Sequence, residues 1–393
     1  MPPAYQVLGA MKVPETGHQG PIERAGDVRN TKQAPATAPI ASSGEGYRAE
    51  LDGIRALCII FTIFNHVPDR PWWINGTIGV DVFFALSGWL ITTLLIRERE
   101  KTGKISLGSF YIRRLFRILP LYYLMVAVYT ALTLAGAKAG GTDEWRHAFG
   151  YMLSLTMEYR PLSAGNLFGH AWTLGIEEKF YIFWPLILVC TIGRPVMSLA
   201  IATIAVIAVT LASGGDSYIV RGYTGLLFGT AFAVLVLTQP MLKRILVRQR
   251  TSLPYVLLVV CGYAASLYFP QFVIFNIAVA FGAALLIGFL WFQPGTLITR
   301  LLSIQPLPWL GRLTYAIYLV QTLSIRAVLT VLHRFGIPER PYITFILSYA
   351  VSIAVAWMLH ATFEKPAIRL GKYLAKRCSA GSPATLLRRL PGA

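Results

Sequence analysis

The stretch IGVDVFFALSGWLITTLLI, residues 78–96, decides the fold class, because its 19 residues contain a single charged side chain, Asp81. A helix needs about 20 predominantly apolar residues to cross the roughly 30 Å hydrocarbon core of a bilayer. The stretch has this length, and the charged run RERE at residues 97–100 marks its end. The sequence therefore predicts a transmembrane helix over residues 78–96.

Apolar runs of similar length recur on both sides of this helix and predict ten transmembrane helices in all. They are expected at residues 54–68, 78–96, 119–136, 171–192, 197–213, 221–238, 252–268, 271–292, 312–332 and 342–362. Residues 147–158 are too few to cross alone and are expected to be re-entrant or interfacial. The predicted fold class is an all-α polytopic membrane protein, a bundle of about ten transmembrane helices with one additional short re-entrant or interfacial helix.

The composition supports this class and excludes a soluble enzyme or a disordered chain. Charged residues make up 14% of the 393 residues, against about 25% in soluble domains, and the mean hydropathy is +0.56. The 36 Lys and Arg outnumber the 18 Asp and Glu. Because this excess lies between apolar runs, it predicts topology and contact with membrane lipid, and no binding of nucleic acid.

The positions of Lys and Arg predict which segments face the cytoplasm. With the N-terminus inside, 26 of these residues fall in cytoplasmic segments and 7 on the opposite side, which follows the positive-inside rule and places both termini in the cytoplasm. Residues 1–47 are expected to be a disordered cytoplasmic tail without a signal peptide. Residues 48–370 are expected to form the transmembrane domain, and residues 371–393 a basic cytoplasmic tail.

Charged side chains inside the predicted helices are the candidate functional residues, since each costs at least ~2.5–3.5 kcal/mol near the bilayer centre. In LDGIRALCIIFTIFNH, residues 51–66, Arg55 and His66 are eleven residues apart. That separation is roughly 16 Å and about three helical turns, so both side chains share a face. Two alternatives stay open: Arg55 as an anchor at the membrane interface, and His66 as a hydrogen-bonded residue at a helix end.

Two further groups of charges each have a structural and a functional interpretation. Asp81 is expected to pair with a cation inside the bundle rather than to act directly in chemistry. In SFYIRRLFRILPLYY, residues 109–123, Arg114 and Arg117 lie on one helical face, where two guanidinium groups suit a phosphate or pyrophosphate. The alternative is ordinary cytoplasmic positive charge, to which Arg113 is assigned.

The fourth group is GHAWTLGIEEKFYIFWPL, residues 169–186, in which Glu177, Glu178 and Lys179 interrupt an apolar helix. Successive helical residues point about 100° apart, so the two carboxylates cannot face one partner. We expect one to pair with Lys179 or an arginine. The other is expected to face a cavity, where it orients a histidine that acts as a general base. A purely structural network of ion pairs is the alternative.

The remaining polar residues are less informative. Arg326 and Glu364 are expected to brace helix packing, whereas Gln321 is not assigned to that role. The six histidines and four cysteines show no spacing typical of a metal site or a disulfide framework, so no metal is expected.

These groups, in this order, resemble the acyltransferase-3 family of membrane acyltransferases, which O-acylate bacterial cell-surface sugars and some secondary metabolites. The resemblance rests on LDGIRA with the following His66, on GVDVFFALSGWLI, on RRLFRILPLYY and on WTLGIEEKFYIFWPL. LGRLTYAIYLVQ and FEKP match more loosely. Together these stretches lie within residues 48–370.

The resemblance implies a ten-helix bundle that takes an acyl group, acetyl by family habit, from cytoplasmic acyl-CoA and delivers it to a hydroxyl group. Acetyl-CoA is then the donor substrate. His66 matches the family's essential histidine, the implied general base, and Arg55 matches its paired basic residue. Arg114 and Arg117 match the Arg-x-x-Arg motif associated with the donor.

Glu177 and Glu178 match the family's acidic pair and complete the implied catalytic set. The chain departs from the family pattern in two respects. Relatives often carry histidine where this chain has Gln321, and many append a periplasmic SGNH hydrolase-like domain, whereas only a short basic segment is expected here after the last helix. The acceptor step is therefore expected within the bundle or in a separate protein.

The implied acceptor is a cell-surface or lipid-linked saccharide at the inner (plasma) membrane, with proteins of polysaccharide assembly as partners. Three alternatives stay open. They are O-acylation of a small secondary metabolite such as a macrolide, transport of a lipid-linked sugar, and a non-catalytic scaffold for polysaccharide assembly. Charged residues inside a bundle also suit a transport pathway.

Overall fold

The computed structural model describes residues 47–136, 139–160, 168–191 and 193–380. The chain divides into two compact units, Met1–Tyr47 and Arg48–Ala393, and every helix described below belongs to the second. Apart from Tyr47, the expected N-terminal tail lies outside the described residues, as do residues 381–393 of the expected basic tail.

Within these residues the chain forms fourteen α-helices and no strand, which confirms an all-helical fold. The helices are α1 Ala49–Asn65, α2 Thr77–Thr102, α3 Leu107–Ala135, α4 Ala139–Leu153, α5 Trp172–Cys190, α6 Pro195–Ala212, α7 Ser217–Thr238, α8 Pro240–Arg248, α9 Leu253–Tyr268, α10 Val273–Phe292, α11 Leu297–Leu302, α12 Leu307–Arg334, α13 Pro341–Leu359 and α14 Lys365–Ala380. Short 3₁₀ turns at Met157–Tyr159 and Gly169–Ala171 and a π-helical turn at His360–Glu364 complete the described structure.

The predicted membrane protein is confirmed, but the predicted count of ten spans is not. In the described part of the chain, seven helices are long and apolar enough to cross a bilayer: α2, α3, α6, α7, α10, α12 and the continuous helix Pro341–Cys378. An eighth span results if α8 and α9, which meet at an angle of 91°, count as one. The expected spans at α1 and α5 are not among them. Helix α1 has 17 residues, and three adjacent charged residues interrupt α5.

Two helices extend beyond their predicted limits. Helix α3 begins at Leu107, so the basic run that was expected to precede a span at residue 119 lies inside the helix. Helix α13 continues through the π-helical turn into α14, so the helix runs past residue 371, where the basic tail was expected to begin. The Ser109 hydroxyl in α3 donates to the carbonyl oxygen of Ala375 at 3.0 Å, which fixes α14 against the start of α3.

The expected short helix between the third and fourth predicted spans is present as α4, which begins earlier than the predicted residue 147. Two tyrosines of α3 hold its end. The hydroxyls of Tyr122 and Tyr123 donate to the carbonyl oxygens of Met152 and Leu153 at 2.8 and 2.9 Å. Because both bonds use the last two residues of α4, they set where the chain turns back toward α5.

Helices α2 and α7 approach each other closely at two glycines. A Cβ atom added to Gly88 would lie 2.2 Å from the carbonyl oxygen of Leu226, and one added to Gly229 would lie 2.0 Å from that of Ala85. Small residues at such crossings let backbones pack directly and provide van der Waals contact where lipid offers no hydrophobic driving force. The contact places α7 beside the part of α2 that lines the candidate site.

We expect Gly229→Ala to destabilise the protein by about 1–3 kcal/mol, because the methyl group meets backbone atoms that cannot rotate away. The thermal unfolding midpoint of the detergent-solubilised protein is the measurement. Gly150→Ala in α4 is the matched control, since nothing lies within 4 Å of its added Cβ. Equal midpoints for the two variants would contradict the close helix crossing.

Candidate active site

A cavity between α1, α2, α3, α5 and α12 contains four arginines, and we call it the basic cavity. It encloses about 860 Å³, part of it open to solvent. Its polar lining consists of Arg55, Ser87, Arg114, Arg117, Thr173, Glu177, Tyr181, Arg312, Thr314, Tyr315 and Tyr318. The structure thus brings the three predicted donor-site arginines to one cavity and adds Arg312. Sequence analysis missed Arg312, although it lies inside the quoted stretch LGRLTYAIYLVQ.

The arginines of this region differ in how their charge is compensated. Arg55 donates to the Asp52 carboxylate at 2.6 Å, one helical turn away. Arg113 lies 3.7 Å from the carboxylate of Glu98 and does not line the basic cavity. The guanidinium group of Arg114 instead lies 4.9 Å from the centre of the Tyr181 ring, a cation–π geometry.

Of the two predicted catalytic carboxylates, only Glu177 lines the basic cavity. Its oxygens accept hydrogen bonds from the hydroxyls of Ser87 at 2.7 Å and Tyr181 at 3.2 Å. Glu178 points elsewhere on the helix and lines neither the basic cavity nor the cavity that contains His66. The difference follows from the angle of about 100° between successive helical residues.

Neither glutamate pairs with Lys179, so that part of the prediction was wrong. The Lys179 ammonium group forms an ion pair with Glu158, and it donates to the carbonyl oxygen of Leu155 at 3.0 Å. Glu158 lies in the 3₁₀ turn before α5 and is buried. Its oxygen would clash with a side chain at Gly175, so the glycine lets this turn pack against α5.

A second cavity, which we call the His66 cavity, lies between α1, α2, α5, α7 and α12. It encloses about 1080 Å³, part of it open. Its lining includes Thr62, Asn65, His66, Thr77, Val80, His170, Trp172, Tyr218, Arg221, Tyr318 and Thr322. His66 is the residue that follows α1, and its side chain is exposed to this cavity.

A backbone carbonyl orients the His66 ring, not a carboxylate as predicted. The Nδ1 atom of His66 lies 2.8 Å from the carbonyl oxygen of Thr62. A carbonyl oxygen can only accept, so Nδ1 carries the proton and Nε2 of the neutral ring carries the lone pair. The bond links residues four apart in the last turn of α1, where carbonyl groups have no helical partner. Neutral His66 therefore offers a proton acceptor at Nε2.

A second histidine, His170, lies close to His66 and was not predicted as a site residue. The two ring centres are 6.5 Å apart. The hydroxyl of Tyr318 donates to the backbone carbonyl of His170 and lies 2.7 Å from the Thr173 hydroxyl. The signal in the sequence was its place directly before the stretch WTLGIEEKFYIFWPL.

The two cavities adjoin each other. Val80 and Tyr318 line both of them. Arg55, in the second turn of α1, faces the basic cavity, and His66, at the end of the same helix, faces the other. The pairing of Arg55 with His66 along α1 therefore spans the two cavities rather than meeting in one.

The predicted structural role of Asp81 is confirmed. Its carboxylate receives two hydrogen bonds from the guanidinium group of Arg221, at 3.0 and 2.8 Å, and one from the amide of Asn276 at 3.0 Å. Arg221 also donates to the carbonyl oxygen of Thr77 at 3.1 Å. The network joins α2, α7 and α10 beneath the His66 cavity. Gln321 is fully buried and lines neither this cavity nor the basic one.

The comparisons with known proteins identify the family. Residues 48–361 match the sequence model of the acyltransferase domain Acyl_transf_3, so the chain belongs to the acyltransferase-3 family. No solved structure matches the chain.

Curated relatives cover most of this chain. It is 30% identical over 359 residues to a Bacillus subtilis (strain 168) protein named "Putative peptidoglycan O-acetyltransferase YrhL", a match that covers 81% of this chain and 55% of the relative. It is 27% identical over 373 residues to O-acetyltransferase OatA of Staphylococcus aureus (strain MRSA252), covering 85% and 60%. The chain thus spans little more than half the length of these relatives.

We expect Asp81→Ala to destabilise the bundle by about 3–5 kcal/mol, because it leaves the buried guanidinium group of Arg221 unpaired. The double variant Asp81→Leu with Arg221→Met removes both charges and is expected to unfold closer to the wild-type temperature. Thermal unfolding midpoints in detergent give the comparison. A double variant as unstable as the sum of the single variants Asp81→Leu and Arg221→Met would show that the pair does not couple.

Proposed function

We propose that the chain is a membrane O-acyltransferase that moves an acyl group, acetyl by family habit, from acyl-CoA to an acceptor hydroxyl. The observation that supports this most is that a cavity rich in arginine adjoins a cavity that contains a histidine base, with Val80 and Tyr318 in the lining of both. A transferase needs two such places, one for an anionic donor and one for the acceptor.

The donor occupies the basic cavity. Arg114, Arg117 and Arg312 have no carboxylate within ion-pairing distance among the described residues, so their charge is available to a ligand. Guanidinium groups bind phosphate oxygens through paired charge-assisted hydrogen bonds. The phosphates of coenzyme A supply that partner, and the thioester then extends toward Tyr318.

His66 acts on the acceptor in the neighbouring cavity. Its Nε2 takes the proton from the acceptor hydroxyl, and the resulting oxygen nucleophile attacks the carbonyl carbon of the thioester. The carbon–sulfur bond breaks, the acyl group stays on the acceptor oxygen, and the coenzyme A thiolate leaves and takes up a proton. The Thr62 carbonyl holds the ring in the tautomer that this step requires.

Glu177 is a positioning residue for the donor site in this mechanism. Its carboxylate accepts from the hydroxyl of Tyr181, and the ring of Tyr181 supports the Arg114 guanidinium group. These contacts therefore hold the arginine in the donor site. His66 is oriented instead by its backbone partner. Glu178 takes part in no step.

The acceptor is a saccharide at the cell surface or on a lipid carrier, with a small secondary metabolite such as a macrolide as the alternative. The name of one relative, "Putative peptidoglycan O-acetyltransferase YrhL", favours a saccharide. The excess of Lys and Arg in alternate loops favours cytoplasmic termini. This orientation turns the Arg114 end of the bundle toward cytoplasmic acyl-CoA and the His66 end toward the outside of the plasma membrane.

We expect His66→Ala to lower acetyl transfer by about 10²–10⁴-fold, the usual contribution of a general base. The measurement is thiol release from acetyl-CoA and acetylation of a saccharide panel by the purified protein in detergent. His147→Ala, at an exposed position of α4, is the matched control and should keep wild-type activity. Full activity in His66→Ala would contradict the proposed mechanism.

The double variant Arg114→Ala with Arg117→Ala is expected to raise the KM for acetyl-CoA about a hundredfold or more, since each of the two lost charge-assisted hydrogen bonds is worth about 1.5–3 kcal/mol. The KM for the acceptor should change much less. Arg113→Ala, which removes an arginine already paired with Glu98, controls for the loss of charge. An unchanged KM for acetyl-CoA in the double variant would show that these arginines do not bind the donor.

A further inference from the structure

Helix α8 lies across the end of the bundle, not along it. The next helix, α9, packs side by side with α10. A Cβ atom added to Gly262 would lie 2.9 Å from Cγ2 of Val279, and one added to Gly282 would lie 3.1 Å from Cγ of Leu258. Because α10 is one of the seven candidate spans, α9 has the direction of a membrane span. The angle of 91° between α8 and α9 therefore places α8 parallel to the membrane surface.

Two side chains from outside α8 hold it in this position. The amide of Gln293, the residue that follows α10, donates to the carbonyl oxygens of Leu246 and Val247 at 2.9 and 2.7 Å. Both carbonyls belong to the last turn of α8, where they have no partner within the helix. The Tyr255 hydroxyl of α9 donates to the side-chain oxygen of Gln249, directly after α8. The helix is thus fixed at the level where α10 ends.

Helix α8 buries one apolar strip in the bundle and exposes a second. Residues four apart lie on one helical face, and PMLKRILVR, the sequence of α8, contains two such apolar pairs. Leu242 and Leu246 pack into the core. Met241 and Ile245 are 74% and 50% exposed. A helix parallel to the membrane surface with an exposed apolar strip lies in the interface, with that strip toward the acyl chains of the lipid.

The strip on the other side of Met241 and Ile245 is basic. Arg244 and Arg248 are also four residues apart, and both are exposed. Neither forms an ion pair with a carboxylate among the described residues. The Cβ atoms of residues four apart are about 5–6 Å from each other, so two guanidinium groups can bind one phosphate together. Helix α8 therefore presents paired guanidinium groups directly beside an apolar strip.

An anionic phospholipid has the complementary arrangement, because its phosphate is joined to acyl chains. Guanidinium groups bind phosphate oxygens through charge-assisted hydrogen bonds, and basic residues on an amphipathic helix attract anionic lipids. A zwitterionic phospholipid carries a cation beside its phosphate, which two arginines repel. A soluble anion would leave the apolar strip uncovered. The surface of α8 thus favours a lipid with a net negative charge over either alternative.

We propose that Arg244 and Arg248 bind the headgroup of an anionic phospholipid, whose acyl chains pack against Met241 and Ile245. The bound lipid stabilises the folded protein, because it binds the folded state and not the unfolded one. This site is separate from the proposed site of acyl transfer, since no residue of α8 lines the basic cavity or the His66 cavity.

The test measures the thermal unfolding midpoint of the full chain in detergent during titration with phosphatidylglycerol or with phosphatidylcholine. Phosphatidylglycerol should raise the wild-type midpoint, and phosphatidylcholine should raise it much less. Arg244→Gln with Arg248→Gln should weaken the apparent affinity for phosphatidylglycerol about thirtyfold, the usual contribution of two basic residues at an anionic lipid surface. Arg244→Lys with Arg248→Lys keeps both charges and should lose less.

Two further variants complete the design. Lys372→Gln with Lys376→Gln removes the same charge from exposed positions of α14 and should keep the wild-type affinity. Met241→Gln with Ile245→Gln removes the apolar strip and should weaken the affinity for phosphatidylglycerol. This second pair provides the test if the arginine variant fails to fold. Because all the changed side chains are exposed, the midpoints without added lipid should equal that of wild type.

Several outcomes would overturn the lipid site. They are equal effects of the two lipids on wild type, wild-type affinity in the arginine variant, and an equal loss in the α14 control, which would show a diffuse effect of net charge. Protection by inorganic phosphate at the same concentrations would show that the arginines bind a free anion. Each readout is lipid binding, so a failure here leaves the proposed transferase standing, and loss of acetyl transfer would not affect this site.

Discussion

The ion pair between Asp81 and Arg221 is the interaction on which the rest of the bundle depends. An isolated charge inside hydrocarbon costs at least ~2.5–3.5 kcal/mol, and here two opposite charges 140 residues apart in the chain meet in a bidentate geometry. Their bond requires α2 and α7 to lie side by side, which the glycines at the crossing permit. Helix α2 then presents Val80 to both cavities and Ser87 to Glu177.

The remaining positively charged side chains fall into two groups, those with a carboxylate partner and those without one. Arg55, Arg113 and Lys179 each have a carboxylate partner within the bundle, so they stabilise the fold at little electrostatic cost. Arg114 and Arg117 have no such partner among the described residues, and both face the basic cavity. Arginines without an ion pair are costly in a membrane protein, and an anionic ligand would supply the opposite charge at close range. This contrast supports the donor site that we propose.

Much of the candidate site follows from the sequence, and its failures have physical causes. The Arg-x-x-Arg spacing places Arg114 and Arg117 on one face because helical periodicity is local, and both line one cavity. The partner of Lys179 was missed because Glu158 lies 21 residues upstream across a turn. The partner of His66 was missed because it is a backbone carbonyl, a group that every residue possesses and that no residue type signals.

The sequence by itself determined that this chain is a helical membrane protein of the acyltransferase-3 family. Membrane spans are identified from hydropathy and charge over about 20 consecutive residues, the length that the bilayer imposes. Their identification therefore does not require the fold. Only the tertiary structure decided that Glu177 and not Glu178 lines the basic cavity, that Arg312 joins the other arginines there, and that Tyr318 lines both this cavity and the His66 cavity. These outcomes depend on which face each helix turns toward helices that are distant in the chain. The packing of the whole bundle sets that orientation.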